Sequence, residues 1–342
     1  MRAAVYYNNR DIRIEELPVP PIESGEILVR MRASGICGSD VMEWYRIRKA
    51  PLVLGHEMTG DIVEIGEGVT DCRIGQRVFV AHHVPCNTCR CCLTGHHTAC
   101  ETLHTTNYHP GGFAEFIRVP ALNVDRGVLV LPDEISYEDG VFIEPLACVL
   151  RAQRSADIRP AQSILVLGSG LSGILHILLA RALGAGRIVA ADIHPDRRKA
   201  ACRFGADASL DPSENLPQRV REINGGRGFD RVAVCAGAPA AFTEAMQCVD
   251  RGGKVLWFAT TEPDVEIPVP VCKLWRNDVA LLPSYGSSPA DNAASMELIR
   301  TGRVPVKGMI SHRLPLSRAA EGFRLVAGGG AALKVVLHPD GE

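Results

Sequence analysis

Four cysteines follow one another at short intervals that suit a metal ion. Cys86, Cys89, Cys92 and Cys100 have the spacing C-x2-C-x2-C-x7-C, which lets four thiolates surround a tetrahedral zinc ion. Four anionic sulfur ligands leave no open coordination position for a substrate, so the spacing predicts a structural zinc site. An iron–sulfur cluster and unligated cysteines are the alternatives, and Cys91 falls outside the spacing.

Histidines on both sides of this segment are alternative ligands. Because four cysteines already complete the coordination sphere, we interpret these histidines as surface residues. They are His82, His83, His96 and His97.

A second group of metal ligands is predicted from residues that lie apart in the sequence. A catalytic zinc needs three protein ligands and one open position, and a cysteine, a histidine and a carboxylate meet that need. We predict that Cys37, His56 and Glu144 are these ligands. Glu57 is the rival carboxylate, which we disfavour because neighbouring residues of an extended segment point in opposite directions.

The stretch from Ser163 to Asp192 is typical of a dinucleotide site. A predicted strand, Ile164–Leu167, leads into a G-x-G-x-x-G motif, a helix over Ile174–Leu183 and a second strand, Arg187–Ala191. The glycines allow a tight turn, close approach of a pyrophosphate and close packing of the helix on the sheet. Asp192 suits the adenosine ribose hydroxyls and repels a 2′-phosphate, which predicts NAD as the cofactor.

The cofactor-binding residues predicted from this motif include one cation. Arg197 and its neighbour Arg198 either contact adenine or phosphate or form a solvated helix face. The predicted set is Gly168, Gly170, Leu171, Gly173, Asp192 and Arg197.

Size and composition limit the classes of function. With 342 residues, 46% of them hydrophobic, the chain is expected to form two globular domains. A net charge of −2 without a long basic run disfavours nucleic acid and favours a small-molecule partner. No apolar segment is long enough for a membrane span, and Met1 leads directly into a strand-like run without a signal peptide. Twelve cysteines then favour a reducing cytoplasm over a disulfide framework.

The order of predicted elements gives an α/β architecture. Short β runs up to about Val130 predict a compact barrel-like domain, and the stretch Ser136–Arg154 is predicted to be helical. Beyond Asp192, helices alternate with strands such as Asp230–Cys235 and Lys254–Phe258, which predicts a parallel doubly wound sheet. The predicted domains are 1–150 with 286–342, a zinc-binding catalytic domain, and 151–285, an NAD-binding domain.

The segment Gly55-His56-Glu57-Met58-Thr59-Gly60, with Gly66 and Val69, resembles the zinc signature of the medium-chain alcohol dehydrogenase family. The resemblance covers essentially the whole chain, and Glu144-Pro145-Leu146 resembles the polyol (sorbitol) and threonine dehydrogenase branch. It implies a chaperonin-10-like β-barrel with a Rossmann domain, one catalytic and one structural zinc, NAD, and a homodimer or homotetramer. It also implies oxidation of the secondary hydroxyl of a polyol or similar compound to a ketone.

Two departures from the family pattern bear on mechanism. Gln76 replaces the usual aspartate of Gly-Asp-Arg-Val and is predicted to be neutral, whereas Met42 stands where many relatives carry a relay histidine. Ser39 is predicted to accept the substrate proton, with a role as a capping serine as the alternative. The predicted catalytic residues are Cys37, Ser39, His56, Glu57 and Glu144.

Other functions remain open on the sequence. A simple secondary-alcohol or threonine dehydrogenase is the nearest alternative, and a zinc-free quinone reductase would lack the predicted ligands. A non-catalytic zinc- and NAD-binding redox sensor is an alternative of a different class. Candidates for polar groups of a substrate pocket are Glu43, Arg46, Arg48 and Tyr285.

Overall fold

The computed structural model describes residues 1–330 and 332–341 and contains two compact units. Unit 1 comprises Met1–Ala147, Ser287–Gly302 and Val306–Glu342, and unit 2 comprises Cys148–Gly286 and Arg303–Pro305.

Strands and helices are numbered along the whole chain. Strands β1–β16 are Arg2–Asn8, Asp11–Glu16, Ile27–Ile36, Leu52–Val53, Glu57–Ile65, Arg77–Ala81, Phe116–Val119, Val128–Val130, Ile164–Leu167, Ile188–Ala191, Ala208–Leu210, Phe229–Val234, Val249–Trp257, Ala280–Pro283, Ile310–Pro315 and Lys334–His338. Helices α1–α13 are Glu43–Arg46, Arg90–Leu93, Glu101–Thr105, Ala121–Gly127, Tyr137–Gly140, Ile143–Ser155, Leu171–Ala182, Pro195–Arg203, Leu216–Ile223, Pro239–Cys248, Val271–Arg276, Pro289–Arg300 and Ala319–Ala327.

Unit 1 is built on a large sheet in the order β15-β16-β3-β5-β6-β8, with β7 also paired to β3. Pairing is antiparallel except between β15 and β16, which are parallel. A smaller sheet, β2-β1-β4, contributes to the same apolar core. Strand β3 is central and buried along most of its length, because it has partners on both edges. The segments that follow β3 and precede β5 therefore start from a fixed backbone.

Unit 2 contains a six-stranded sheet in the order β11-β10-β9-β12-β13-β14, and all neighbours are parallel. Four-residue strands β9 and β10 are completely buried, as expected for a sheet with helices on its faces. The strand order reverses next to β9, which is the arrangement of a doubly wound dinucleotide-binding fold. The predicted parallel sheet is confirmed.

Two predicted elements differ in their limits. The helical stretch predicted from Ser136 to Arg154 forms two helices, α5 and α6, because Ser136 caps α5 and the chain turns after Gly140. Strand β13 begins at Val249, earlier than the predicted Lys254, and passes through Gly252, whose φ of +67° is one that glycine tolerates.

In the described part of the chain, no helix combines the length and the apolar character needed to cross a bilayer.

Candidate metal centres and dinucleotide site

Three possible metal ligands meet where β3 ends and β5 begins. Cys37 follows β3 directly, and His56 and Glu57 stand at the start of β5. Their ligand atoms all lie within 4.8 Å of one another. Both His56 and Glu57 face Cys37, contrary to the alternation expected for neighbouring residues, because β5 starts at Glu57 and His56 lies outside the regular strand.

Asp40 orients this group from a fully buried position. Its Oδ1 lies 3.3 Å from Nδ1 of His56, and its Oδ2 accepts a hydrogen bond of 3.0 Å from the backbone N–H of Cys37. With Nδ1 turned to Asp40, Nε2 of His56 is the nitrogen left for a metal. Burial lowers the pKa of His56, but the charges of Asp40 and Cys37 outweigh burial and hold it well above its ordinary value. The site therefore favours a cation.

Glu57 is held by a lysine from the far end of the sequence. Lys334 on β16 forms an ion pair with Oε2 of Glu57, and both side chains are completely buried. Oε1 of Glu57 is buried as well and has no hydrogen-bond partner among the residues that the structure describes. Burial raises the pKa of Glu57, the charges of Lys334 and His56 oppose that rise, and the charge of Glu144 adds to it.

Gly35 makes room for this ion pair. It faces Glu57 on β5 and Val336 on β16 in the register of the sheet. A Cβ atom at Gly35 would lie 2.5 Å from Cε and 2.8 Å from Nζ of Lys334, so an alanine there would force the buried end of this ion pair to move.

Glu144 lies in the first turn of α6 and is buried. Its charge raises the pKa of both Glu57 and Tyr108, so the two carboxylates are neighbours. Within residues 1–330 and 332–341, the group of possible ligands includes Glu57 and not Glu144. A thiolate, an imidazole and a buried carboxylate oxygen without a partner form a donor set that fits zinc. The choice between the two carboxylates remains a prediction.

The four predicted structural ligands also come together. Cys86, Cys89, Cys92 and Cys100 place their sulfur atoms within 4.8 Å of one another. The Sγ–Sγ distances are 3.5 Å for Cys89–Cys92, 3.6 Å for Cys86–Cys100 and 4.0 Å for Cys86–Cys92. A tetrahedron with Zn–S bonds of about 2.3 Å has edges of about 3.8 Å, so the geometry fits one zinc ion.

Backbone N–H groups prepare this cluster for a cation. The N–H of Cys89 donates to Sγ of Cys86 at 3.2 Å, and the N–H of Cys86 donates to Sγ of Cys100 at 3.4 Å. A hydrogen bond from Thr88, with further donors around it, lowers the pKa of Cys86 to about 5. None of the twelve cysteines forms a disulfide in the described part of the chain.

The glycine motif of unit 2 forms the turn between β9 and α7. Gly168 has a φ of +94°, and Gly170 is the N-cap of α7, so the backbone N–H groups of Leu171 and its neighbours lie at the helix start. A side chain at Gly173 would overlap the carbonyl of Gly168, which explains why the helix approaches so closely. A helix N-terminus of this kind is suited to a phosphate group.

Asp192 follows β10 and faces the same turn. Its Oδ2 accepts a hydrogen bond of 2.7 Å from the N–H of Ser169, and its Oδ1 accepts one of 2.8 Å from the N–H of His194. Arg197 lies beside the turn, because its Nη1 is 3.9 Å from the position that a Cβ atom on Gly170 would occupy. Arg198 bonds the carbonyl of Asp192 at 2.7 Å and pairs with Asp211, so its side chain is held by protein groups.

Comparison with known proteins identifies the family of this chain. Residues 23–132 match the family of the alcohol dehydrogenase GroES-like domain, and residues 173–301 match that of the zinc-binding dehydrogenases. The chain is 31% identical over 353 residues to sorbitol dehydrogenase of Bacillus subtilis (strain 168), covering 99% of this chain and 98% of that protein. It is 32% identical over 334 residues to L-threonine 3-dehydrogenase of Chelativorans sp. (strain BNC1), covering 95% and 94%. Alcohol dehydrogenase TADH from Thermus sp. ATN1 superposes with a TM-score of 0.88 at 30% identity over 99% of this chain and 100% of that chain.

The chain belongs to the zinc-dependent medium-chain alcohol dehydrogenase family. This confirms the predicted fold, a GroES-like β domain with a Rossmann-type domain, and makes the protein an oxidoreductase that acts on CH–OH groups.

In this dehydrogenase Cys37, and not Ser39, is the N-cap residue of the helical turn after β3, and the side chain of Ser39 is bonded by Arg46. Arg46 donates hydrogen bonds to the carbonyl of Ser39 at 3.0 Å and to its Oγ at 3.1 Å, and it lies 3.6 Å from Asp40. Met42, which stands where many relatives carry the relay histidine, is the N-cap residue of α1, and its side chain forms no capping hydrogen bond. A guanidinium only donates, so the Ser39 hydroxyl keeps its own proton and one lone pair for a ligand. Arg46 is therefore a neighbour of the dehydrogenase site.

Three of the four flanking histidines were wrongly interpreted as surface residues, since His97 is half-buried like His82 and His83. The ring of His82 lies 4.9 Å from that of His56. For His82 and His83 the reason is that β6 ends at Ala81, so the chain turns back beside the predicted metal ligands before it reaches the cysteines. His96 is exposed, as expected.

Sequence reasoning missed the residues that hold the predicted ligands. Asp40 stands three residues after Cys37, a short spacing that could have suggested it as the orienting group. Lys334 is 277 residues from Glu57, and only the unusual lysine among the apolar residues of β16 could have drawn attention to it.

Proposed function

We propose that this dehydrogenase oxidises the secondary hydroxyl of a polyol or a similar hydroxy compound to a ketone and reduces NAD. The observation that carries the proposal is the group Cys37, His56 and Glu57, whose ligand atoms lie within 4.8 Å in a polar site held by Asp40. The substrate class rests on the similarity to a sorbitol dehydrogenase and on the Glu144-Pro145-Leu146 element.

The proposal assigns one zinc to Cys37, His56 and Glu144, with Glu57 as the alternative carboxylate. A zinc ion bound there supplies a Lewis acid that lowers the pKa of a substrate hydroxyl. Ser39 would relay the proton of that hydroxyl, accepting it at Oγ while its own hydroxyl proton passes on to water, and Arg46 fixes the position of the Ser39 oxygen. Asp40 keeps His56 in one orientation throughout. A second zinc, held by the four cysteines, stabilises the lobe around Cys86–Cys100 without taking part in the reaction.

The proposed cofactor is NAD, bound by unit 2. The turn at Gly168, Gly170, Leu171 and Gly173 provides N–H groups for the pyrophosphate, and Asp192 accepts the ribose hydroxyls. Arg197, beside the turn, supplies a positive charge near the phosphates.

The domain roles and the cellular setting are part of the proposal. Residues 1–150 and 286–342 form the catalytic domain, and residues 151–285 form the NAD-binding domain. We expect a homodimer or homotetramer in the cytoplasm, which light scattering on the purified protein and cell fractionation would test.

A substrate panel tests the proposed reaction. Zinc-loaded protein is given sorbitol and other polyols, inositols, threonine or short alkanols with NAD or NADP, and the absorbance of the reduced cofactor is followed. We expect the highest kcat/KM on a polyol with NAD. Higher kcat/KM on threonine or on a simple secondary alcohol would replace the proposed substrate class, and threonine is the second candidate because of the similar identity to a threonine dehydrogenase.

The same experiment separates the enzyme from a redox-sensing module that only binds zinc and NAD. A sensor would bind the cofactor and give no turnover with any alcohol. Removal of metal by a chelator gives the control, since the proposed reaction stops when the Cys37 site loses its ion.

A further inference from the structure

His82 presents an imidazole to the site of the predicted catalytic metal. Its ring lies 4.9 Å from the His56 ring at an interplanar angle of 49°, and 4.0 Å from the ring of His83. The ring of Tyr108 stands edge-on to it at 6.4 Å. Nδ2 of Asn123 donates to the carbonyl of His82 at 2.9 Å, which fixes the backbone after β6. The imidazole therefore has a defined place beside His56.

The ring nitrogens of His82 have no hydrogen-bond partner among residues 1–330 and 332–341. The two neighbouring histidines differ in this respect, because Nδ1 of His83 contacts the carbonyl of Thr106 at 2.6 Å and Nδ1 of His56 faces Asp40. His82 is only half-buried, so its nitrogens lie where a ligand can reach them. A polar ring next to a reacting centre, held in place and without a partner, is suited to a substrate group.

We propose that His82 binds the hydroxyl on the carbon next to the reacting carbon of a vicinal diol. This inference rests on the proposed function and names the residue that selects its substrate. An imidazole with one proton offers one donor and one acceptor, and a hydroxyl group offers the same pair. The distance between adjacent rings places this second hydroxyl close to a first one bound at the His56 site.

The charges around His82 favour a neutral second group. Arg46 carries a permanent positive charge that acts on His82. The carboxylate of Asp40 is already close to both Arg46 and His56. An ammonium group in the position of the second hydroxyl would meet the positive charge of Arg46, which disfavours an amino alcohol such as threonine.

The test compares two alcohols that differ by one hydroxyl. Butane-2,3-diol, each stereoisomer separately, and butan-2-ol are oxidised by wild type, His82→Phe and His82→Gln, all zinc-loaded and with saturating NAD. His82→Phe keeps the ring contacts and removes both nitrogens, whereas His82→Gln keeps one donor and one acceptor. We expect wild type to prefer the best diol isomer by about 10- to 100-fold in kcat/KM, the range for one buried polar contact.

The preference should fall below about threefold in His82→Phe, with kcat/KM for butan-2-ol nearly unchanged, and should be partly retained in His82→Gln. His83→Phe is the matched control, because it alters a neighbouring histidine ring whose nitrogen is already bonded and should leave the diol preference intact. An unchanged preference in His82→Phe, or wild-type kcat/KM for threonine above that for every diol, overturns the inference.

A binding measurement separates this inference from the proposed reaction. The rise in melting temperature of the zinc-loaded protein is measured with the diol and with butan-2-ol at equal concentration. If neither alcohol is oxidised, the proposed function fails, but a diol-specific rise that is lost in His82→Phe still supports the role of His82. Equal rises with both ligands in wild type contradict it.

Discussion

Lys334 and Glu57 form an ion pair inside unit 1 in which neither side chain is exposed to solvent. The two residues are 277 positions apart and lie on the two strands that flank β3, the strand that directly precedes Cys37. Removing two charges from water is costly, so such a pair persists only where each partner is satisfied by the other. Lys334 thus offsets part of the cost of burying a carboxylate beside the predicted metal ligands.

Replacement of Lys334 should destabilise the protein, because the cost of burying the Glu57 carboxylate is then no longer offset. Lys334→Met leaves the Glu57 carboxylate buried without its partner and is expected to lower the free energy of unfolding by about 3–5 kcal/mol. The double variant Lys334→Met with Glu57→Gln removes both charges and should recover much of the loss. Denaturant unfolding of the three proteins measures both effects. A single variant as stable as wild type would show that the pair contributes nothing.

The two metal sites should differ in how readily they lose zinc. The Cys37 site keeps an exchangeable position, whereas the four-cysteine site is closed. Mass spectrometry of metal content during dialysis against a chelator should show two zinc ions per chain, of which one leaves first together with activity. Cys92→Ser should hold one zinc, melt at a lower temperature than wild type, and lose its remaining ion at the wild-type rate. Finding one zinc per chain in wild type would contradict the two-site proposal.

Asp192 should set the preference for NAD over NADP. Its negative charge opposes a 2′-phosphate, so Asp192→Ser is expected to reduce the ratio of kcat/KM for NAD to that for NADP at least tenfold. Since Asp192 also accepts hydrogen bonds from the N–H groups of Ser169 and His194, thermal unfolding must be measured in parallel. Asp192→Asn is the matched control, because it removes the negative charge and leaves the shape of the side chain nearly unchanged. Equal efficiency of wild type with both cofactors is the result that would count against this role.

His176 in α7 should make unit 2 sensitive to acid. Its ring is completely buried, and burial lowers its pKa from an ordinary 6.5 to about 3. Between these values the unfolded chain binds a proton at His176 and the folded chain does not. The free energy of unfolding therefore falls, through this residue, by about 1.4 kcal/mol per pH unit as the pH drops from 6.5 towards 3.

His176→Asn removes this titration and retains an acceptor for the amide of Gln153, which contacts Nδ1 of His176 at 3.2 Å. The variant should be less stable than wild type at pH 7, because the ring contact with Phe258 is lost. Its stability should nevertheless fall less steeply between pH 6.5 and 4.5 in urea unfolding experiments. Parallel pH dependences for the two proteins would exclude the buried histidine as a cause.

The success of sequence reasoning depended on how local each signal was. The β9-α7-β10 unit was predicted closely, because the spacing of Gly168, Gly170 and Gly173 determines the turn within a few residues. That Cys37 and His56 lie close together could be predicted only by considering two motifs jointly. Lys334 could not be predicted, since its partner comes from sheet register, and His82 was misassigned because no local pattern shows that the chain after β6 turns towards His56.

Gly35, Glu57 and Lys334 pack so closely that the residue at each position restricts which residues fit at the other two. The missing side chain of Gly35 leaves the space that the ends of Lys334 and Glu57 occupy, so a mutational scan should tolerate Gly35→Ala only in combination with shorter residues at both of these positions. Among descendants of this chain, an alanine at 35 would then arise after the lysine and the glutamate have been replaced and not before. The order in which substitutions can accumulate at this site is therefore constrained by the volume of a single methyl group.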